Sequence, residues 1–216
     1  MFFTKDIGYL KDLLKRAFAI EKYQKFFYDF FLRSQKGEEL AFIDAGAHVG
    51  VFSDVALASG GICYAFEPNI YLHAFLKDLY KDNEKLILSN KAVSNQNSTA
   101  IFYDEGTNAV GQGGGIVKTN HCNHKESGYE VELIDFCEFL HEILKKHKKI
   151  TFVKMDIEGA EFDVLDALIE QKLYENIEYI MVETHERFFE NPSQKINPLK
   201  EKIAQNNITN IFLDWI

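Results

Sequence analysis

A chain of 216 residues with 46% hydrophobic side chains and only three prolines is long enough to bury a sizeable core and too apolar to be disordered. Its net charge of -9 argues against a broad basic face and so against a nucleic-acid partner. Cys63, Cys122 and Cys137 include no close pair, and Lys11, Asp12 and Lys15 break the apolar start, so we expect no disulfide framework, secretory signal or membrane span, and a cytoplasmic protein.

Leu10, Leu13, Leu14, Ala17 and Phe18, then Tyr23, Phe26, Phe27, Phe30 and Phe31, recur at spacings of three and four, the pattern of amphipathic helices. They read as an N-terminal helical extension over residues 1–35, ahead of one domain over 36–216. The extension caps that domain, or serves as a lid or dimer contact. After Ser34-Gln35-Lys36-Gly37 the pattern alternates: strand Leu40–Ala45, helix Val51–Ala58, strand Ile62–Phe66, helix Ile70–Lys81, strand Leu86–Ser89. Such alternation predicts βαβ units, an α/β fold with a mostly parallel sheet and helices on both faces. Ala100–Tyr103 and Tyr129–Leu133 predict two strands around a long polar loop, and Asp135 can cap a following helix. Strand Ile150–Met155, helix Ala160–Ile169 and strand Ile177–Val182 come next. A turn at Asn191-Pro192, a helix near Pro198–Ala204 and a strand Ile208–Trp215 finish the chain.

Phe42-Ile43-Asp44-Ala45-Gly46-Ala47-His48-Val49-Gly50 runs from a strand through a glycine turn into a helix. Glycines here let the backbone approach a ligand that a Cβ would push away. The spacing is Asp-x-Gly-x-x-x-Gly and lacks the Gly-x-Gly-x-x-Gly that makes room for a pyrophosphate, which counts against a nicotinamide oxidoreductase. Glu67 closes the next strand, 21 residues after Gly46, where an acid can accept from both ribose hydroxyls of an adenosyl ligand. Asn90 and Ala92, after the third strand, fall where such folds contact adenine.

Lys154-Met155-Asp156-Ile157-Glu158-Gly159-Ala160-Glu161 joins a strand end to a helix start. Ligands of open α/β sheets bind beyond the carboxyl ends of the strands, so Asp156 and Glu158 are expected to share the crevice of Gly46. Glu161 suits the helix N-terminus, and Glu158 fits that role or the crevice equally. Glu183 and His185 end the neighbouring strand. His185 is a candidate general base, and a divalent-metal site with Asp156 and Glu183 is an alternative use of the same groups.

The ordered set Phe-Ile-Asp-Ala-Gly-Ala-His-Val-Gly, Phe-Glu-Pro, Lys-Ala-Val-Ser and Lys-Met-Asp-Ile-Glu-Gly-Ala-Glu resembles the FkbM-type methyltransferase family over roughly residues 40–186. The resemblance implies a Rossmann-like class I methyltransferase fold and S-adenosylmethionine-dependent O-methylation, often of sugars, glycans or secondary metabolites. It implies that Asp44, Gly46, Gly50 and Glu67 bind the cofactor, with His48 standing where the family more often has Asn. Asp156, Glu158 and Glu183 would line the catalytic crevice, where His185 or Asp156 takes the acceptor's proton and Glu183 orients it. Such folds usually end in an antiparallel hairpin, so a sheet edge is expected to need cover, which a homodimer could supply.

The acceptor is expected to be a small molecule or glycan met by the loop Asp104–Gly128, which holds Gly106, Gly111, Gly113, Gly114 and Gly115. His121 and His124 in the same loop lack a zinc-ligand set. A non-catalytic nucleoside-binding module is the remaining alternative.

Overall fold

Short apolar strands that end in glycine turns, each followed by a helix with one apolar face, leave the chain one economical arrangement: a parallel sheet covered on both sides. The computed structural model describes residues 7–17, 21–103, 114–117 and 128–215. Phe18 and most of the glycine-rich loop, including Gly106, Gly111, Gly113, His121, Cys122 and His124, lie outside the described residues.

Helices α1 (Ile7–Ala17) and α2 (Glu21–Gln35) precede β1 (Ala41–Ala45), α3 (Val51–Ala58), β2 (Ile62–Phe66), α4 (Ile70–Leu79) and β3 (Leu86–Ser89). Next come β4 (Ala92–Ser94), β5 (Ser98–Tyr103), β6 (Gly128–Asp135), α5 (Phe136–Ile143) and β7 (Ile150–Met155). Helix α6 (Glu161–Glu170), β8 (Ile177–Val182), α7 (Pro192–Gln205) and β9 (Ile211–Phe212) complete the order.

Six strands pair in the order β3-β2-β1-β7-β8-β9, and every pairing is parallel. This is the Rossmann-like α/β arrangement expected from the alternation. After β3 the chain crosses to the far side of β1, so the order reverses between β1 and β7. A crevice opens beyond the carboxyl ends of strands at such a reversal.

The two faces are read off β1 itself. Ala41, Ile43 and Ala45 pack with α5, α6 and α7, while Phe42 packs with α1, α2, α3 and α4. The N-terminal helices are seated in the second of these layers. The Phe27 ring lies 5.2 Å from that of Phe152, Phe30 lies 5.6 Å from Phe42, and Phe52 stacks on Phe152 at 5.3 Å. Each such buried ring contributes about 1.5–3 kcal/mol.

Caps fall where side-chain chemistry puts them. Asn69 Oδ1 accepts from the amides of Tyr71 and Leu72, and Asp135 Oδ1 accepts from Glu138, opening α4 and α5.

The two strands expected around the polar loop are present and form a sheet of their own, β4-β6-β5, with β5 and β6 antiparallel and β4 parallel to β6. Two expectations need correction. Asn191-Pro192 is not a turn ahead of a helix beginning at Pro198. The helix begins at Pro192, because proline at a first helical position gives up no hydrogen bond, and it continues past Pro198. The final strand is two residues, not eight. Asn207 takes a left-handed φ of 52°, and Asn210 Nδ2 donates to the carbonyls of Tyr174 and Ile177, so only Ile211 and Phe212 pair with β8. Among the described residues, no helix is long and apolar enough to cross a membrane.

Candidate active site

A cleft of about 590 Å³ opens at the strand-order reversal, beyond the ends of β1, β2, β7 and β8. Its first wall is the turn after β1. Gly46 has φ +80°, and a Cβ there would stand 1.9 Å from the carbonyl oxygen of Asp156, so the two strand ends cross too closely for any side chain. The amides of Gly46 and Ala47 both donate to the carbonyl of Phe66, at 3.1 and 2.9 Å, which ties the turn to the end of β2.

Glu67 sits at that strand end, nearly buried, and lines the cleft. Its Oε2 accepts from the amide of His48 at 2.6 Å and its Oε1 from that of Asn69 at 2.8 Å. Burial pushes its carboxyl up to about 7, against the pull of those two amides. His48 holds a left-handed φ of 48° to present its amide this way, and its residue lines the cleft.

Asp44 is fully buried at the end of β1. Its Oδ2 accepts from the Ser53 hydroxyl at 2.7 Å, and its Oδ1, which has no hydrogen-bond partner, lies 3.6 Å from Lys154 Nζ. Lys154 is its register partner on β7. The ammonium also donates to the carbonyls of Ala45 and Gly46 and lies 3.4 Å from Asp156. Burial lowers the Lys154 pKa, but Asp156 and Asp44 more than offset this and leave it raised. Burial raises that of Asp44 despite Lys154.

The second wall is acidic. Asp156, Glu158 and Glu183 all line the cleft. Burial raises Glu158 to about 7, His185 pulls it down, and the neighbouring carboxylates push it up again. The Glu183 carboxylate accepts from Arg187 at 3.0 Å.

His185 stands behind these groups. It is 1% exposed, does not line the cleft, and directs Nε2 at Asp156 (3.7 Å), Glu158 (3.5 Å) and Glu183 (3.6 Å). Its Nδ1 and its amide are both held by Glu161 Oε1, at 3.3 and 2.7 Å. Burial lowers its pKa, yet the bond to Glu161 and the surrounding carboxylates prevail and leave it raised.

Of the residues singled out from sequence, the cleft gathers Asp44, Gly46, His48, Glu67, Ala92, Asp156, Glu158 and Glu183. Three others stand outside its lining. Gly50 is a glycine because a Cβ would stand 2.6 Å from Tyr80 Oη. Asn90 Nδ2 donates to the carbonyls of Glu67 and Pro68, bracing the strand end rather than the ligand space. His185 is the third.

Sequence reasoning gave no role to Lys154, whose contacts depend on strand register, nor to Arg187, Phe188 and Trp215, which also line the cleft. Gly114 and Gly115 extend the lining from the glycine-rich loop. A Cβ on Gly115 would lie 2.8 Å from that of Glu158, so this backbone passes directly over the acidic wall.

A family model described as Methyltransferase FkbM domain matches residues 44–210. No curated protein and no solved structure matches the chain significantly.

Proposed function

The chain belongs to the FkbM methyltransferase family, and from that premise we propose that it transfers the methyl group of S-adenosylmethionine to a hydroxyl of a sugar, glycan or other small polar metabolite. The observation that carries this reading is a single cleft with two unlike walls: a glycine turn with a buried acceptor carboxylate, facing a cluster of acids.

The first wall fits the cofactor. Gly46 keeps the floor free of a side chain, and the Glu67 oxygens, each holding one amide, retain lone pairs for two ribose hydroxyls. The lone Oδ1 of Asp44, beside Lys154, is a further polar group at the cleft wall. When bound, S-adenosylmethionine supplies a sulfonium methyl for in-line displacement and leaves as a neutral thioether.

The second wall fits the acceptor. Asp156 is the accessible base, because it lines the cleft while His185 lies behind it. The hydroxyl proton passes to Asp156, the oxygen's pair forms the new O–C bond, and the broken C–S bond leaves its pair on sulfur. Positioning contributes on the order of 7–11 kcal/mol in ideal cases, and a base about a hundredfold to ten-thousandfold in rate. The glycine-rich loop, which brings Gly114 and Gly115 to the acidic wall, supports acceptor recognition from that side.

The test is calorimetric titration with S-adenosylmethionine and S-adenosylhomocysteine beside reduced and oxidised nicotinamide dinucleotides, followed by labelled methyl transfer onto a panel of sugars. Saturable binding of the sulfonium pair, lost in Glu67→Ala, is the expected result. Binding of nicotinamide instead would overturn the proposal, and so would methylation confined to carbon or nitrogen acceptors.

A further inference from the structure

We propose that Asp156, Glu158 and His185 form a site for one divalent transition-metal ion, of the kind that accepts mixed imidazole and carboxylate ligands, and that Glu161 is its positioning residue. The donor atoms of these three side chains, one each, all lie within 4.8 Å of one another. Acids alone would not make a site. The independent observation is His185, a side chain 1% exposed whose Nε2 is aimed into the cluster and makes no hydrogen bond. Beside it, Glu158 Oε2 is buried without any hydrogen-bond partner. With Nδ1 given to Glu161, Nε2 presents a lone pair, so two atoms of like preference, this nitrogen and Glu158 Oε2, face one small space 3.5 Å apart with no hydrogen bond between them. Ligands about 2.1 Å from a shared tetrahedral ion stand about 3.4 Å apart, close to the 3.7 and 3.5 Å that separate His185 Nε2 from Asp156 and Glu158.

The remainder of the cluster supports this reading. A metal-bound imidazole characteristically gives its other nitrogen to a carboxylate, which fixes ring and tautomer. Glu161 does this for His185, holding Nδ1 at 3.3 Å and the residue's own amide at 2.7 Å. Glu183 is engaged by Arg187 and flanks the site rather than completing it. The carboxylates of Asp156, Glu158, Glu161 and Glu183 outnumber the fixed cations beside them, Lys154 and Arg187, so a further positive charge is favoured. One imidazole with two carboxylates suits Mn²⁺ or Zn²⁺ better than Mg²⁺ or Ca²⁺, which take oxygen almost alone.

Asp156 and Glu158 line the cleft, so the remaining coordination positions face it. There an ion would accept the acceptor's hydroxyl oxygen and raise its acidity. Only this role rests on the proposed O-methylation; the site itself stands on the geometry.

The test is titration of the cofactor-free protein with MnCl₂, followed by electron paramagnetic resonance of free Mn²⁺, with ZnCl₂ as competitor. The expected result is one Mn²⁺ per chain, displaced by Zn²⁺, lost in Asp156→Asn and in His185→Ala, and weakened about ten- to a hundredfold in Glu161→Gln with an altered bound-Mn²⁺ spectrum. If His185→Ala does not fold, Asp156→Asn, on the cleft wall, decides alone. No saturable binding at millimolar metal overturns the site, and so does binding unchanged in Asp156→Asn. Because cofactor is absent, that failure leaves the result of the S-adenosylmethionine titration, and the methyltransferase reading, untouched.

Discussion

The Glu161 carboxylate holds His185 twice, accepting from its backbone amide at 2.7 Å and from Nδ1 at 3.3 Å, while its other oxygen accepts from the Gly159 amide at 2.8 Å. One fully buried acid at the first position of α6 therefore joins that helix, the loop before it and the end of β8. Glu161→Ala leaves two buried amides and an imidazole without an acceptor. We expect a loss of about 3–5 kcal/mol in urea unfolding, the range for removing one partner of a buried charged pair. A loss under about 1 kcal/mol would show that solvent replaces the carboxylate and that His185 is not rigidly held.

The crossing of the β1 turn over the β7 end gives a comparison between two glycines. Both Gly46 and Gly37 have left-handed φ, +80° and +88°, but a Cβ on Gly37 meets nothing within 4 Å while one on Gly46 meets a backbone carbonyl at 1.9 Å. Gly37→Ala is expected to cost about 1–2 kcal/mol, the backbone penalty alone. Gly46→Ala adds a clash that only movement of β1 against β7 can relieve, so we expect it to lose at least about 3 kcal/mol and cofactor binding as well. Equal melting temperatures for the two variants would contradict the close crossing.

Glu67 makes cofactor affinity depend on pH. Burial raises its carboxyl to about 7 in the free protein, from an ordinary value near 4.5. Its contribution to the stability of the free protein is therefore fully present below about 4.5 and is lost as pH rises through about 7. Binding has the opposite sign, because the ionised carboxylate is the better acceptor for ribose hydroxyls. Affinity for S-adenosylmethionine should climb from pH 6 to pH 8, approaching tenfold per unit below the midpoint, with proton release on binding. Calorimetry in two buffers of different ionisation enthalpy measures that release. A wild-type protein that binds equally at pH 6 and pH 8, or a Glu67→Gln variant that keeps the slope, assigns the dependence elsewhere.

The sequence made the central βαβ units legible because each buried parallel strand is a short apolar run closed by glycine or an acid, as in Phe42–Gly46 and Phe152–Asp156. The Asp135 cap was readable for the same local reason. Pairing partners were not. Nothing within Ala92-Val93-Ser94 indicates that these residues lie beside Leu133–Asp135 in a second sheet. Lys154 gave no signal because its role exists only once β7 is in register with Asp44 on β1. The place of His185 just after a strand end predicts a side chain that faces the ligand space. Its burial behind the acids depends on Glu161, 24 residues earlier, and no local pattern encodes that contact.

The N-terminal helices test whether residues 1–35 are a detachable extension, as their position before the first strand suggests. Phe27 and Phe30 are buried among Phe42, Phe52 and Phe152, side chains of β1, α3 and β7. Arg33 adds a link from α2 to β8, donating to both oxygens of Glu178 at 2.9 and 2.8 Å. A chain starting near Gln35 would keep α3 and α4 but expose the part of this sheet face around Phe42, Phe152 and Tyr179 that α2 covers, a surface such sheets keep buried. We therefore expect this truncation to be insoluble or molten, not a cofactor-binding core that has only lost turnover. Phe30→Ala, which keeps the full chain, should cost about 3–5 kcal/mol in urea unfolding while leaving the S-adenosylmethionine affinity of the folded fraction within about twofold. A soluble truncated chain with a sharp melting transition and intact cofactor binding would instead make the two helices a lid or an interface, and the domain would begin at β1.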